Sequence, residues 1–249
     1  MDEKGKNLIK LTYSSFWIVI YISIFILTGF ITALIMFIFS YPHNGFIDFF
    51  RNIISKDFET FFLEHSVNIQ LISIILSSLC YLIIFKMKKT NIIDVFYTKK
   101  ISLQKLLLAL IIGVLIHFLA QFAFGFFYNT QEPSYVEHIE SYKTHMESYQ
   151  PFERSVIGLA ILFILSPIFE ELLFRGLIGQ KLKPHFSFKI YIFLQALIFS
   201  LIHSHPLQIL YTFLLGIVLG LIYEKHKNIL SPILLHIGFN LANAIVMIG

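Results

Sequence analysis

The sequence is short of charge and of cysteine, and each shortage excludes a class of protein. Asp, Glu, Lys and Arg make up 14% of the 249 residues, against 57% hydrophobic ones, and the mean hydropathy is +0.76. A water-soluble domain with so few polar side chains would leave large apolar patches facing solvent. The single cysteine, Cys80, excludes a disulfide within these residues and a small disulfide-stapled scaffold with it. It stands in an apolar run and is expected to pack as a small hydrophobe. No HExxH sequence occurs, so the usual helix-borne zinc signature is missing. Internal repeats, low-complexity tracts and linkers are also missing, which predicts one domain. The net charge of +4 is not a nucleic-acid footprint, because the Lys and Arg residues fall in short segments between apolar runs. No nucleic-acid partner is expected.

What the chain does have is long apolar runs. Seven candidate spans are Phe16–Phe39, Val67–Phe85, Leu106–Phe127, Val156–Phe174, Phe188–His205, Leu207–Tyr223 and Ile229–Ile248, each near the ~20 residues needed to cross the hydrocarbon core. The first is too long for a signal-peptide core and has no small-residue cleavage site, so it is expected to be a retained span. Only Ser204-His205-Pro206 separates the fifth from the sixth, which predicts a tight hairpin that stops short of the far surface. The fold class is all-α, a polytopic transmembrane helix bundle of about seven spans embedded in a lipid bilayer.

Basic residues set the orientation. Of the 19 Lys and Arg residues, only Arg51, Lys56, Lys143 and Arg154 fall in the first, third and fifth connecting segments. The rest sit in the N-terminal tail and the alternate loops, which predicts the N-terminus in the cytoplasm and the C-terminus outside. In the second long outer loop Tyr135, Ile139, Tyr142 and Met146 recur at helical spacing between acidic residues, as in a short interfacial helix.

An ionisable residue inside a span costs ~3 kcal/mol or more and needs a partner or a purpose. The fourth span carries Phe169-Glu170-Glu171-Leu172-Leu173-Phe174-Arg175. Glu171 and Arg175 are four residues apart and can pair on one helix face. Glu170 then points elsewhere without a local cation, and Pro167 just before it can kink the span or admit water. The plainer alternative is that all three anchor the span at the inner surface. His203 lies near the end of the fifth span, where a lone histidine is more often structural, and His205 is expected to be a hairpin residue. In the last span His236 and Asn240 are one turn apart, with Asn243 on the same side. They form either an interhelical polar clasp or part of a site. His117 and Gln121 in the third span have the same spacing but no supporting motif, so packing is expected of them. Gly216 and Gly220 form a small-xxx-small pair for close helix approach, and Tyr223 ends that span as an interfacial aromatic would.

Four motifs thus follow in order: Glu170-Glu171-xxx-Arg175, Phe199-xxx-His203, Gly216-xxx-Gly220-xx-Tyr223 and His236-xxx-Asn240. This series resembles the CAAX-protease and bacteriocin-processing family, also called the Abi family, which includes the eukaryotic prenyl-protein endopeptidases. The resemblance covers Val156 to Gly249; residues 1–155 carry no matching motif and form a variable N-terminal part of the same membrane domain. It implies that Glu170 is the general base that activates a water, that His203 shares that water, and that His236 and Asn240 stabilise the oxyanion. Glu171 and Arg175 would be supporting.

The chemistry agrees with the residues. Amide hydrolysis needs an activated water, a base and donors aimed at the developing oxyanion, and Asn and imidazole can supply the donors. A zinc ion held by Glu170, His203 and His236 is the open alternative, although the residues can act without a cofactor. The expected activity is endopeptidase cleavage of a membrane-associated peptide or protein in a cytoplasm-facing, water-filled cavity. Processing of peptide precursors or pheromones and bacteriocin self-immunity are the roles the resemblance implies. The Lys- and Ile-rich composition suggests a bacterial plasma membrane, which argues against prenylated substrates. The first alternative is a non-catalytic scaffold that regulates a partner such as a sensor kinase; loss of Glu170 or His203 would mark it, and both are present. A proton-coupled transporter would predict internal repeats.

Overall fold

A computed structural model describes residues 3–40, 56–89, 96, 99–129, 136, 137, 140, 156–203 and 205–248 of the chain. These residues are almost wholly helical, with an isolated bridge at Asn228 and no strand among them. Eight helices can be followed: α1 (Glu3–Ser40), α2 (Lys56–Glu64), α3 (Ser66–Lys88), α4 (Leu103–Asn129), α5 (Val156–Leu182), α6 (Phe188–Leu201), α7 (Pro206–His226) and α8 (Leu230–Ile248). Seven fall on the expected apolar runs, and α2 lies in the first long loop. The Tyr135–Met146 pattern falls outside the described residues.

Five helices are long and apolar enough to cross a membrane: Gly5–Ser40, Ser66–Lys88, Leu103–Ala123, Val156–Leu182 and Pro206–His226. Many of their apolar side chains, such as Val19, Ile83, Leu119 and Phe122, are exposed. That arrangement suits a hydrocarbon solvent and makes this a multi-pass membrane protein. α6 and the apolar stretch Leu230–Ala242 are shorter. The 14 residues of α6 rise about 21 Å against a hydrocarbon core of ~30 Å, as the three-residue connection to the next span predicts. At that connection His205 is the N-cap of α7, its Nδ1 accepting the Leu207 N–H at 3.3 Å.

The helices pack as three intimate pairs, α4 with α8, α6 with α7 and α1 with α3, and α5 runs among them. Glycine sets two of these approaches. A Cβ on Gly113 would fall onto the Leu235 carbonyl, and one on Gly238 onto the Leu110 carbonyl, so α4 and α8 touch backbone to backbone. A Cβ on Gly216 would meet Ala196 at 3.1 Å, and one on Gly220 would meet Gln195 Oε1 at 3.0 Å. Both expected small residues therefore serve the α6–α7 contact. The α1–α3 pair is held differently: Thr28 Oγ1 bonds the Ser73 and Ser77 hydroxyls at 3.0 and 2.7 Å, and Tyr81 donates to the Tyr21 carbonyl at 2.7 Å. Cys80 is half-buried between neighbours.

One expectation about position is overturned. Tyr223 is fully buried among Ile229, Ile233 and Ile237 and is not an interfacial residue. The turn after α7, through Lys227 in the left-handed conformation (φ 50°), folds α8 back over it. Of the two readings of Arg175, the pair with Glu171 holds and the surface anchor does not, since the side chain is wholly enclosed.

Candidate active site

α5 owes its usefulness to irregularity. Its central α-helical turn, Ser166–Glu171, lies between two π-helical stretches, Ile161–Leu165 and Leu172–Ile178. Pro167 has no N–H to give to the preceding turn. In the first π stretch the bonds lengthen by one residue, so that the Ser166 N–H reaches the Ile161 carbonyl. Such wide turns re-aim side chains and are frequent at functional sites. In the second, Gln195 of α6 donates its amide to the Phe174 carbonyl at 2.7 Å and locks the two helices together.

On one face of α5, Glu171 and Arg175 make the expected ion pair at 2.9 Å, with neither side chain exposed. A pair buried this deeply is stable only with further partners. Arg175 Nη2 donates to the Gly216 carbonyl at 3.2 Å, and its guanidinium lies 4.6 Å from the Phe199 ring centroid. The same Glu171 Oε1 is 3.0 Å from His236 Nδ1. A carboxylate opposite one ring nitrogen fixes the imidazole's orientation. His236 is also held edge-on by Phe199, with centroids 5.7 Å apart.

Glu170 has a different neighbourhood. Its Oε1 accepts from Ser166 Oγ at 2.6 Å, and Ser166 Oγ in turn accepts from Gln70 Nε2 of α3 at 2.8 Å. Its Oε2 has no hydrogen-bond partner among the described residues and lies 3.9 Å from His236 Nε2. Glu170, His203, His236 and Asn240 all line one cavity of about 640 Å³. Its remaining wall is largely apolar and comes from α1, α2, α3, α5 and α7, including Phe25, Phe30, Phe62, Ile69, Leu162 and Leu215. His203 sits just past the end of α6, its Nδ1 3.2 Å from the Phe199 carbonyl and its ring edge-on to Phe199 at 5.3 Å. All four residues assigned by the resemblance thus share one cavity, with Glu171 and Arg175 packed behind it. Among the described residues no group of three or more His, Cys, Asp or Glu side chains is arranged to hold a metal ion. The set Glu170, His203 and His236 is no exception.

Several polar residues here were not singled out in the sequence. Ser166 lies four residues before Glu170, a spacing legible in principle, but serine is too common in apolar helices to attract notice. Gln70 and Gln195 are amides in apolar runs, and that is their only signal. Glu224 is buried and gathers Lys183 at 2.7 Å, Lys227 and the Tyr191 hydroxyl at 3.3 Å, a clasp across the ends of α5, α6 and α7. His117 packs as expected, edge-on to Phe239 at 5.2 Å. Both its ring nitrogens are buried without a partner among the described residues.

Comparison with protein-family models gives a match to the family described as type II CAAX prenyl endopeptidase Rce1-like over residues 152–242. The match starts just before Val156 and stops short of Gly249, and it contains Glu170, His203, His236 and Asn240. Comparisons with curated proteins and with solved structures find no match. Residues 152–242, which bring these polar groups to the cavity, thus match the CAAX protease-like family, a family of proteases.

Proposed function

We propose that this chain is a glutamate-type intramembrane endopeptidase that hydrolyses a peptide bond in a membrane-associated peptide or protein. The observation that carries the reading is the meeting of Glu170, His203, His236 and Asn240 in a mainly apolar cavity. Such a cavity takes up apolar side chains of a substrate, while a few polar groups orient its backbone. In this reading Glu170 and His203 hold a water. Its proton passes to Glu170 as its oxygen bonds to the scissile carbonyl carbon. The displaced electron pair moves to the carbonyl oxygen, which Asn240 and His236 receive as donors. Glu170 then gives the proton to the leaving nitrogen as the C–N bond breaks.

The role of Glu171 follows from its contact with His236. With Nδ1 held 3.0 Å from Glu171 Oε1, Nε2 is the ring nitrogen left to face the oxyanion. Glu171 and Arg175 are therefore supporting groups that set the orientation of His236. No metal ion has a step here.

The setting that suits this chemistry is a single membrane domain of seven spans in a bacterial plasma membrane, N-terminus inside and C-terminus outside. The distribution of Lys and Arg supports that topology. Its substrates would be peptide precursors, pheromones or bacteriocin-related peptides.

The test is Glu170→Gln in detergent-purified protein, assayed against membrane-associated precursor peptides with and without a chelator. We expect cleavage by the wild type, insensitivity to chelator, and a loss of about 10²–10⁴-fold in the variant. Chelator-sensitive cleavage would assign the site to a metal. Equal inertness of both proteins, with a partner such as a sensor kinase still bound, would identify a scaffold.

A further inference from the structure

The family match begins at residue 152, yet the Glu170 carboxylate is held from outside it. Gln70, on α3, donates to Ser166 Oγ at 2.8 Å, and Ser166 donates to Glu170 Oε1 at 2.6 Å. Ser166 has a single hydroxyl proton and two lone pairs. Within a helix that proton ordinarily turns back to the carbonyl four residues earlier. Here it points forward to Glu170, and the Gln70 N–H fills the oxygen's acceptor side. Donation into a hydroxyl polarises it and strengthens the bond it makes in turn. With Oε1 tethered, the carboxylate is fixed about its side-chain bonds and Oε2 is left toward His236 Nε2, 3.9 Å away. Gln70 of α3 and Ser166 of α5 both line the cavity, beside the wall that α1 supplies.

We infer that Gln70 is a positioning residue for the reaction: acting through Ser166, it aims the base and couples the N-terminal wall of the cavity to catalysis. This rests on the reading of Glu170 as the base. Loss of the relay leaves the carboxylate and the cavity in place but lets Glu170 rotate. The effect therefore falls on kcat and leaves KM nearly unchanged. One hydrogen bond of this kind corresponds to about tenfold in rate.

The experiment is a double-mutant cycle with Gln70→Leu, which keeps bulk and removes the amide, and Ser166→Ala, with Glu170→Gln beside it. Each single variant is expected to lose about tenfold in kcat. The double variant is expected to lose about tenfold as well, because both changes break one relay. A structural role alone would give multiplying losses. Full kcat in Gln70→Leu, a loss confined to KM, or multiplying losses would overturn the inference. A readout that does not depend on cleavage is the infrared carboxyl band of Glu170, identified as the band lost in Glu170→Gln. It is expected to shift in Gln70→Leu and in Ser166→Ala, and an unmoved band would overturn the relay even in an inert protein. Full cleavage by Glu170→Gln, with the band still shifting in Gln70→Leu, would instead refute Glu170 as base and leave the hydrogen-bond relay standing without a catalytic role.

Discussion

Glu170 and Glu171 are adjacent and chemically identical, and the bundle treats them in opposite ways. Glu171 faces the side where helices meet closely, held between His236 and Arg175, which itself reaches the α7 backbone at Gly216. Glu170 faces the side where α1 and α3 leave a cavity of about 640 Å³, and one of its oxygens has no partner among the described residues. One residue of helix rotation, ~100°, separates the two environments. The lesson is that a single span can carry both an enclosed ion pair and a carboxylate open to a cavity when neighbouring helices pack unequally around it. The Arg175 bond to the Gly216 carbonyl marks the closed side, whereas the Thr28, Ser73 and Ser77 hydroxyls mark the open one.

The largest expected effect comes from breaking the closed side. Arg175→Ala leaves Glu171 buried with only His236 as partner. Removing one member of a buried pair costs about 3–5 kcal/mol, which a thermal or denaturant unfolding curve in detergent would read as a marked drop in stability. The paired change Glu171→Gln with Arg175→Met fills similar volume without charge and should recover most of that loss. Glu170→Gln, one position away, should leave the unfolding midpoint close to wild type. A similar loss in Arg175→Ala and Glu170→Gln would erase the distinction between the two faces.

How much of this was legible beforehand follows the same division. The apolar runs located seven of the eight helices because lipid-facing spans need unbroken hydrophobicity, and the brevity of α6 was visible in its three-residue connection to the next span. The Glu171–Arg175 pair was legible because four-residue spacing is a local rule of the helix. The motif series singled out Glu170, His203, His236 and Asn240, and all four line one cavity. The Gln70 contact was not legible: it joins residues 96 positions apart, and nothing local tells an amide that will meet the helix carrying Glu170 from one that will not. The π-helical stretches were also hidden, since Pro167 announces a disturbed helix but not which way the bonds shift. Tyr223 was misplaced for a related reason. A polar or aromatic group near a span end suits both an interface and a core, and only the return of the next helix decides between them.

The next effect in size compares glycines. Gly113→Ala puts a methyl group into the Leu235 backbone, where no flexible side chain can yield, and α4 and α8 must separate. Overpacking of that kind costs about 1–3 kcal/mol. Because α8 carries His236 and Asn240, cleavage should fall together with stability, a correlation that unfolding curves and activity measured on one preparation would test.

The smallest effect should come from the matching change on the open side, Gly29→Ala in α1. Gly29 lines the cavity, and a Cβ there would meet only the Ser73 side chain, at 3.6 and 4.0 Å, which is ordinary van der Waals contact. Replacing a helical glycine by alanine removes backbone freedom from the unfolded chain and is worth about 0.5–1 kcal/mol in favour of the folded state. Gly29→Ala should therefore raise the unfolding midpoint slightly and leave kcat unchanged. A bulkier Gly29→Leu projects into the space assigned to substrate, so KM should rise while kcat for bound substrate stays near wild type. Equal KM values for wild type and Gly29→Leu would mean that substrate does not use the α1 wall, and that the apolar volume beside Gly29 serves packing of the bilayer-facing helices alone.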